Sequence, residues 1–146
     1  MILGIGTDLA SIDRIAGVLE QHGQRFVDRC FGPEESRKVE TSAKGDALLR
    51  ASGYAKRWAA KEACAKALGL GISHDIYLRD IVVVNGDNGQ PALVLSGGAK
   101  ERLTVLTPKG MTAEIHVSLT DDAAEEKPGT GMALAFVVIS AEAKKV

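Results

Sequence analysis

The pattern of apolar and polar residues divides the chain into an early helical part and a late stranded part. A short apolar run with two glycines at residues 2–6 predicts an N-terminal strand. Apolar side chains then recur at helical spacing, with Ser11 as the predicted N-cap and Gly23 as the predicted end. Two more helices are predicted, one at Gln24–Cys30 and one that begins at Pro33.

Later segments follow strand patterns. Valines and leucines flank a cluster of glycine, asparagine and proline at residues 85–91, which predicts two strands joined by a turn. A short helix is predicted at 98–106, an alternating strand at 111–120 and an apolar strand at 131–141, with a polar loop at 121–130. Helices early and strands late favour an α+β fold, in which an antiparallel sheet packs against a long helix.

That long helix is predicted at about residues 46–70. Its small and apolar side chains recur at three-and-four spacing and define one core-facing stripe. Glu62 and Lys66 fall in the middle of the stripe. A charge removed from water is costly unless it has a partner or a hydrated site, so these two residues need an explanation. The stripe comprises Leu48, Ala51, Ala55, Trp58, Ala59, Ala65 and Gly69.

Composition narrows the class of protein. A chain of 146 residues fits one domain, taken as residues 1–146. With 45% hydrophobic residues, 25% charged residues and a formal charge of −1, the chain offers no bulk attraction for nucleic acid. No apolar run approaches the roughly 18 residues of a membrane span, and no positively charged leader is visible. We therefore expect a cytoplasmic protein that binds neither nucleic acid nor membrane.

The position of Asp8 suggests why Glu62 and Lys66 lie on the stripe. It follows the first strand, and Glu62 lies on a helix expected to pack on that strand, so two carboxylates would meet there. Magnesium takes oxygen ligands and leaves positions for water and phosphate, and Lys66 would complement a bound phosphate. Two plainer interpretations stay open: Asp8 as a helix N-cap, and Glu62 with Lys66 as a solvated i,i+4 ion pair.

The spacing of three other polar residues does not decide their role. Arg57 and Lys61 flank Trp58 on the long helix, as solvated charges or as part of an anion site. His116 falls on the polar side of its strand, where a lone histidine is more often a structural or surface residue than a catalytic one. Cys30 and Cys64 lie far apart without a CxxC or Cys/His cluster, which argues against structural zinc.

Three motifs occur in order along the chain: GIGTDL at residues 4–9, RWAAKEACAKALGLGI at 57–72 and HVSL at 116–119. Together they resemble the holo-[acyl-carrier-protein] synthases of the 4'-phosphopantetheinyl transferase superfamily, over nearly the whole chain. The resemblance implies a phosphopantetheinyl transferase-like fold and a magnesium-dependent reaction. In that reaction 4'-phosphopantetheine passes from coenzyme A to a serine of apo-acyl carrier protein, and adenosine 3',5'-bisphosphate is released. It also implies a homotrimer with sites at subunit interfaces.

The same resemblance assigns roles to residues. Asp8 and Glu62 become metal ligands, and Lys66 contacts the phosphates or the attacking group. Arg57 and His116 match positions near the 3'-phosphate of coenzyme A. The proton of the attacking serine is taken either by a water held on a carboxylate or by Glu62 itself.

The stretch after the third motif departs from the family pattern. Many relatives carry a second histidine there, whereas this chain continues into the longer loop at 121–130. Because carrier proteins are acidic, a local basic surface is expected at Arg14, Arg25 and Arg29. Two other functions share the candidate residues: a metal-dependent phosphohydrolase that attacks with water, and a non-catalytic binding module. A requirement for a protein acceptor distinguishes them from a transferase.

Overall fold

The computed structural model describes residues 1–73, 75–124, 126–127 and 129–145. Four helices lie between the first strand and the later strands, and a short fifth helix lies among the later strands, as the sequence pattern predicts. The bounds in chain order are β1 (Ile2–Ser11), α1 (Ile12–His22), α2 (Gln24–Cys30), α3 (Pro33–Ala43), α4 (Ala47–Ala67), a 3-10 turn (Leu78–Asp80), β2 (Ile81–Asn85), β3 (Pro91–Leu95), α5 (Gly97–Leu106), β4 (Met111–Asp122) and β5 (Met132–Ala143).

Helix ends follow local cap chemistry. The Ser11 side chain accepts a hydrogen bond from a backbone N–H in the first turn of α1, and α1 ends at Gly23 with φ of 52°, a conformation that favours glycine. Asp46 caps α4 in the same way as Ser11 caps α1. The caps predicted at Ser11 and Gly23 are confirmed. The interpretation of Asp8 as a helix cap is wrong, because Asp8 lies inside β1 and pairs with Ala135.

The sheet is antiparallel and packs on α4, as predicted. Strands β1, β5 and β4 form one sheet in that order, while β2 and β3 form a separate hairpin. β4 continues through Asp122, into the stretch predicted as a loop, because Asp121 and Asp122 pair with the start of β5. Alternate residues of β5 are fully buried against α4, namely Ala133, Ala135, Val137, Ile139 and Ala141.

Helix α4 is central rather than amphipathic. It contacts β1, β5, α1 and α3, so side chains are buried around most of its circumference. The single-stripe interpretation is therefore wrong in detail. Glu62 lies half-buried at an edge and Lys66 is exposed, whereas the fully buried charge on α4 is Lys61. Among the described residues, no helix is long and apolar enough to span a membrane.

Two glycines allow β1 to lie directly on the backbone of α4. A Cβ atom at Gly4 would come within 1.9 Å of the Ala67 carbonyl oxygen, and a Cβ atom at Gly6 within 1.9 Å of the Ala63 oxygen. No side chain fits between the two elements. The close approach carries Asp8, two residues after Gly6 on the same strand face, to the edge of α4.

We predict that Gly6→Ala destabilises the protein by about 3 kcal/mol, because its methyl group forces two backbones apart. The matched control is Gly17→Ala in α1, where the added Cβ meets nothing within 4 Å. Alanine in this exposed helical position should stabilise by about 0.5–1 kcal/mol. Urea unfolding followed by circular dichroism measures both. Stabilisation by both substitutions would contradict the close contact between β1 and α4.

Candidate active site

Asp8, Glu62 and Lys66 come together where β1 crosses α4. The Lys66 ammonium donates hydrogen bonds to Oδ1 of Asp8 and to the carbonyl oxygen of Thr7, each at 3.0 Å. The Asp8 side chain is 17% exposed and that of Lys66 is 50% exposed, so the ion pair lies at the protein surface. Glu62 lies one helical turn before Lys66. Two carboxylates and one ammonium thus share a small region.

The negative charge of Glu62 is only partly compensated by Lys66. Burial raises the pKa of the Glu62 carboxyl, the charge of Asp8 raises it further, and Lys66 lowers it only in part. Lys66 is bonded to Asp8, so among these three side chains two carboxylates share one positive charge. A hard divalent cation fits this excess, since carboxylate oxygens are its preferred protein ligands. Within the described ranges, no three His, Cys, Asp or Glu side chains form a metal-binding group, so these two carboxylates would leave most coordination positions for water and ligand.

A cleft of about 740 Å³ opens beside Asp8 and Glu62. Its other lining is largely apolar and comes from β1, α1, α2, α4, the 3-10 turn and the start of β5, with Trp58 and Leu78 among its side chains. Trp58 packs against Phe26 with ring centroids 5.8 Å apart. This cleft, called the carboxylate cleft below, is large enough to admit an extended substrate or a side chain of a partner.

Arg57 lies in a different cleft of about 390 Å³, lined by α3, α4, the β2–β3 hairpin and the end of β4. Lys38 and Lys56 line it too, and we call it the anion cleft. The Arg57 side chain donates to the Gly53 carbonyl oxygen at 3.2 Å, and its Nε is buried without a partner among the described residues. Burial lowers the pKa of Arg57, which the charge of Glu35 opposes. A guanidinium with a free donor beside two lysines is suited to an anionic ligand.

The start of the predicted loop contributes to the anion cleft. Asp121 accepts a hydrogen bond from the Ser52 hydroxyl and forms an ion pair with Lys56 at 3.1 Å. Burial alone would raise the pKa of Asp121, but the hydrogen bonds of Ser52 and Lys56 and the charge of Lys56 bring it below the usual range. This network holds Lys56 against β4, where the family pattern offered no guide.

His116 does not join either cleft of its own chain. It pairs with Val138 on the sheet face turned away from α4, opposite to the face that carries Asp8. Its Nε2 lies 3.1 Å from the Ser140 hydroxyl, and its side chain is 58% exposed. The same outer face exposes a row of large apolar side chains: Ile5, Leu9, Leu134 and Phe136.

Sequence reasoning missed a buried ion pair. Lys61 and Glu35 lie 2.8 Å apart with both side chains fully buried, so the interpretation of Lys61 as a solvated or anion-binding residue is wrong. The alanines around Lys61 were a signal that the helix is enclosed on that side too. Nothing in the sequence pairs Lys61 with Glu35, because the two lie on different helices.

Comparison with known proteins identifies the family. The model of the 4'-phosphopantetheinyl transferase superfamily matches residues 4–120. A holo-[acyl-carrier-protein] synthase of Rhodopseudomonas palustris (strain TIE-1) is 56% identical over 141 residues, covering 97% of this chain and 91% of that protein.

Solved structures agree with this match. The crystal structure of holo-[acyl-carrier-protein] synthase from Neisseria meningitidis is 31% identical with a TM-score of 0.71, covering 96% of this chain and 99% of that one. The Helicobacter pylori holo-[acyl-carrier-protein] synthase in complex with coenzyme A is 29% identical with a TM-score of 0.70, covering 93% and 99% respectively. The motifs, the fold and these likenesses agree: the chain belongs to the 4'-phosphopantetheinyl transferase superfamily.

Proposed function

We propose that this protein is a holo-[acyl-carrier-protein] synthase, which transfers 4'-phosphopantetheine from coenzyme A to a serine of apo-acyl carrier protein. The observation that carries the proposal is the meeting of Asp8, Glu62 and Lys66 beside an open cleft. It occurs in a chain whose relatives bear that name, one of them in complex with coenzyme A. The other product is adenosine 3',5'-bisphosphate.

The reaction requires charge stabilisation more than covalent help from the protein. The serine oxygen forms a bond to the phosphorus nearest the pantetheine, and the bond from that phosphorus to the bridging oxygen breaks. The bisphosphate leaves with the bonding electrons. Lys66 binds the phosphoryl oxygens and offsets their growing charge. The serine proton passes to Glu62, or to a water that a carboxylate holds.

Asp8 and Glu62 are the proposed magnesium ligands. Their excess negative charge and the hard oxygen donors support this assignment. Bound magnesium would neutralise charge on the pyrophosphate of coenzyme A. The role of the protein is to hold the two carboxylates together, one on β1 and one on α4.

The carrier protein is proposed to dock beside the carboxylate cleft. Arg14 and Arg29 line that cleft together with its apolar side chains, whereas Arg25 does not. An acidic partner would meet both arginines while its serine reaches toward Asp8. The cytoplasm is the proposed compartment, which agrees with the free thiols of Cys30 and Cys64.

A homotrimer with sites at subunit interfaces explains two features together. The outer sheet face exposes large apolar side chains such as Leu9 and Phe136, which are 58% and 44% exposed and suit burial by another copy of the chain. His116 lies on that same face, away from the anion cleft of its own chain, so the two would belong to one site only across a subunit interface. We propose that Arg57 of one chain and His116 of the next bind the 3'-phosphate of coenzyme A.

The transfer itself is tested by mass spectrometry of apo-acyl carrier protein incubated with coenzyme A, magnesium and this protein. We expect the carrier to gain the mass of phosphopantetheine. Asp8→Ala and Glu62→Ala should each lower turnover by about 100- to 1,000-fold, the cost typical of losing one charge-stabilising group. The control Glu101→Ala, an exposed carboxylate on α5, should retain full turnover. Coenzyme A consumed without carrier modification would indicate a phosphohydrolase instead.

The raised pKa of Glu62 predicts how the stability of the protein depends on pH. The pKa of Glu62 is raised above 4.5 in the folded protein, so the folded state keeps this proton to higher pH than the unfolded state. Stability from this group is therefore lost as pH rises from about 4.5 through the raised pKa. Without metal, Glu62→Gln should raise the Tm at pH 8 and change it little at pH 4. Added magnesium should raise the Tm of the wild type at pH 8 but not that of Glu62→Gln.

Differential scanning calorimetry in chelator, with Glu101→Gln as the control, measures these shifts. A lower Tm for Glu62→Gln at pH 8 in chelator would show that the carboxylate is stabilised by the protein alone.

If each site combines residues of two subunits, the Arg57→Ala and His116→Ala variants should complement each other in a mixed trimer. Arg57→Ala and His116→Ala should each weaken the binding of coenzyme A about 10- to 100-fold, as expected for a lost charge-assisted hydrogen bond. The binding of dephospho-coenzyme A should weaken much less. Mixed trimers purified through two different tags should recover activity, because some sites then combine an intact Arg57 with an intact His116. Mixed assemblies no more active than the average of the two parents would place both residues in one chain or outside the site.

A further inference from the structure

The ion pair of Lys61 and Glu35 is complete in itself. The three donor hydrogens of the lysine are used: Nζ donates to Oε2 of Glu35 at 2.8 Å, to the Leu78 carbonyl oxygen at 3.1 Å and to the Ile81 carbonyl oxygen. The ammonium also lies 5.3 Å from the centre of the Phe31 ring. A buried charge is tolerated only when it is satisfied to this degree.

The carboxylate is equally well satisfied. Oε2 of Glu35 accepts a hydrogen bond from the backbone N–H of Gly32 at 2.8 Å, and Oε1 accepts one from the backbone N–H of Val83 at 2.9 Å. The pair therefore connects the start of α3, the middle of α4, the 3-10 turn and β2 through backbone groups. Backbone anchors of this kind fix the rotation and the axial position of α4 relative to β2.

The pair also lies between the two clefts. On α4, Lys61 comes one turn after Arg57 in the anion cleft and directly before Glu62 in the carboxylate cleft. Each member of the pair contacts the backbone of a cleft wall. Lys61 contacts Leu78, which lines the carboxylate cleft, and Glu35 contacts Val83, which lines the anion cleft. A small rotation of α4 would misplace Arg57 and Glu62 at once.

We propose that Lys61 and Glu35 are positioning residues that hold Arg57 and Glu62 in register, so that both clefts present their charged groups correctly. The inference rests on the proposed function for its kinetic part only. Stability alone does not account for the pair, because replacing a buried ion pair by uncharged residues of similar volume is often neutral or stabilising. The pair instead determines geometry, and an error of about 1 Å in a site can cost about 100-fold in rate.

The decisive variant is Lys61→Met/Glu35→Gln, which removes both charges, nearly preserves volume and leaves an amide oxygen to accept a backbone hydrogen bond. We expect it to fold, to lose about 100-fold in kcat/KM for coenzyme A, and to narrow the preference for coenzyme A over dephospho-coenzyme A. The emission of Trp58, the single tryptophan, should shift, because it lies on α4 in the wall of the carboxylate cleft.

Arg50→Met/Glu40→Gln is the matched control. That ion pair also joins α3 to α4, at 2.8 Å, but it is partly exposed and lines neither the carboxylate cleft nor the anion cleft. The control should keep wild-type kcat/KM, donor preference and Trp58 emission. Glu35→Asp, which keeps both charges but shortens one side chain, should show an intermediate loss.

A folded Lys61→Met/Glu35→Gln protein that matches the control in kinetics, donor preference and emission would overturn the proposal and leave the pair a purely stabilising role. If the double variant fails to fold, Glu35→Asp decides, and wild-type behaviour in that variant would overturn the proposal equally. If the wild type itself does not modify the carrier, the proposed function fails. Coenzyme A affinity by calorimetry and Trp58 emission then still decide whether the pair positions α4.

Discussion

The direct contact between the backbones of β1 and α4 determines how the sheet lies on the central helix. Gly4 and Gly6 leave no room for any side chain, since a Cβ atom at either would meet a carbonyl oxygen of α4 at 1.9 Å. Asp8 follows on the same strand face and meets Lys66 at 3.0 Å. The two glycines thus bring Asp8 to the part of α4 that carries Glu62 and Lys66. In the GIGTD segment, the two glycines serve the packing of the strand on the helix.

Lys61 and Glu62 are neighbours on α4, but the protein compensates the charge of Lys61 fully and that of Glu62 only in part. Lys61 is neutralised by Glu35 and fully hydrogen-bonded inside the protein, so it gains nothing from a ligand. Glu62, the next residue, has a raised pKa because burial and Asp8 outweigh Lys66. The satisfied pair fixes the helix, while the unbalanced carboxylate leaves a region that a cation and a phosphate would complete. Burial alone does not show this contrast between a charge that the protein satisfies and one that it leaves partly uncompensated.

Much of this arrangement could be predicted from local sequence. Caps at Ser11 and Gly23 depend on the chemistry of a few adjacent residues, and the meeting of Asp8 with Glu62 follows once β1 packs on α4. The Lys61–Glu35 pair could not be predicted, because it depends on how α3 and β2 enclose a helix that periodicity alone presents as one-sided.

The position of His116 shows a second limit of the sequence. Alternation along β4 correctly places it on the polar side of the strand, but only the sheet register shows that this side faces away from Asp8. A ligand set that spans subunits has no signature in one chain. The exposed apolar face around Phe136 is the feature that points to another copy.

A crystal structure with coenzyme A and manganese, which replaces magnesium and scatters anomalously, would show whether Asp8 and Glu62 hold the cation. We expect an anomalous peak between the carboxylates of Asp8 and Glu62, with the pyrophosphate beside Lys66. We also expect the 3'-phosphate between Arg57 of one chain and His116 of its neighbour. A manganese ion bound away from Asp8 and Glu62, with coenzyme A contacting neither, would contradict the proposed site.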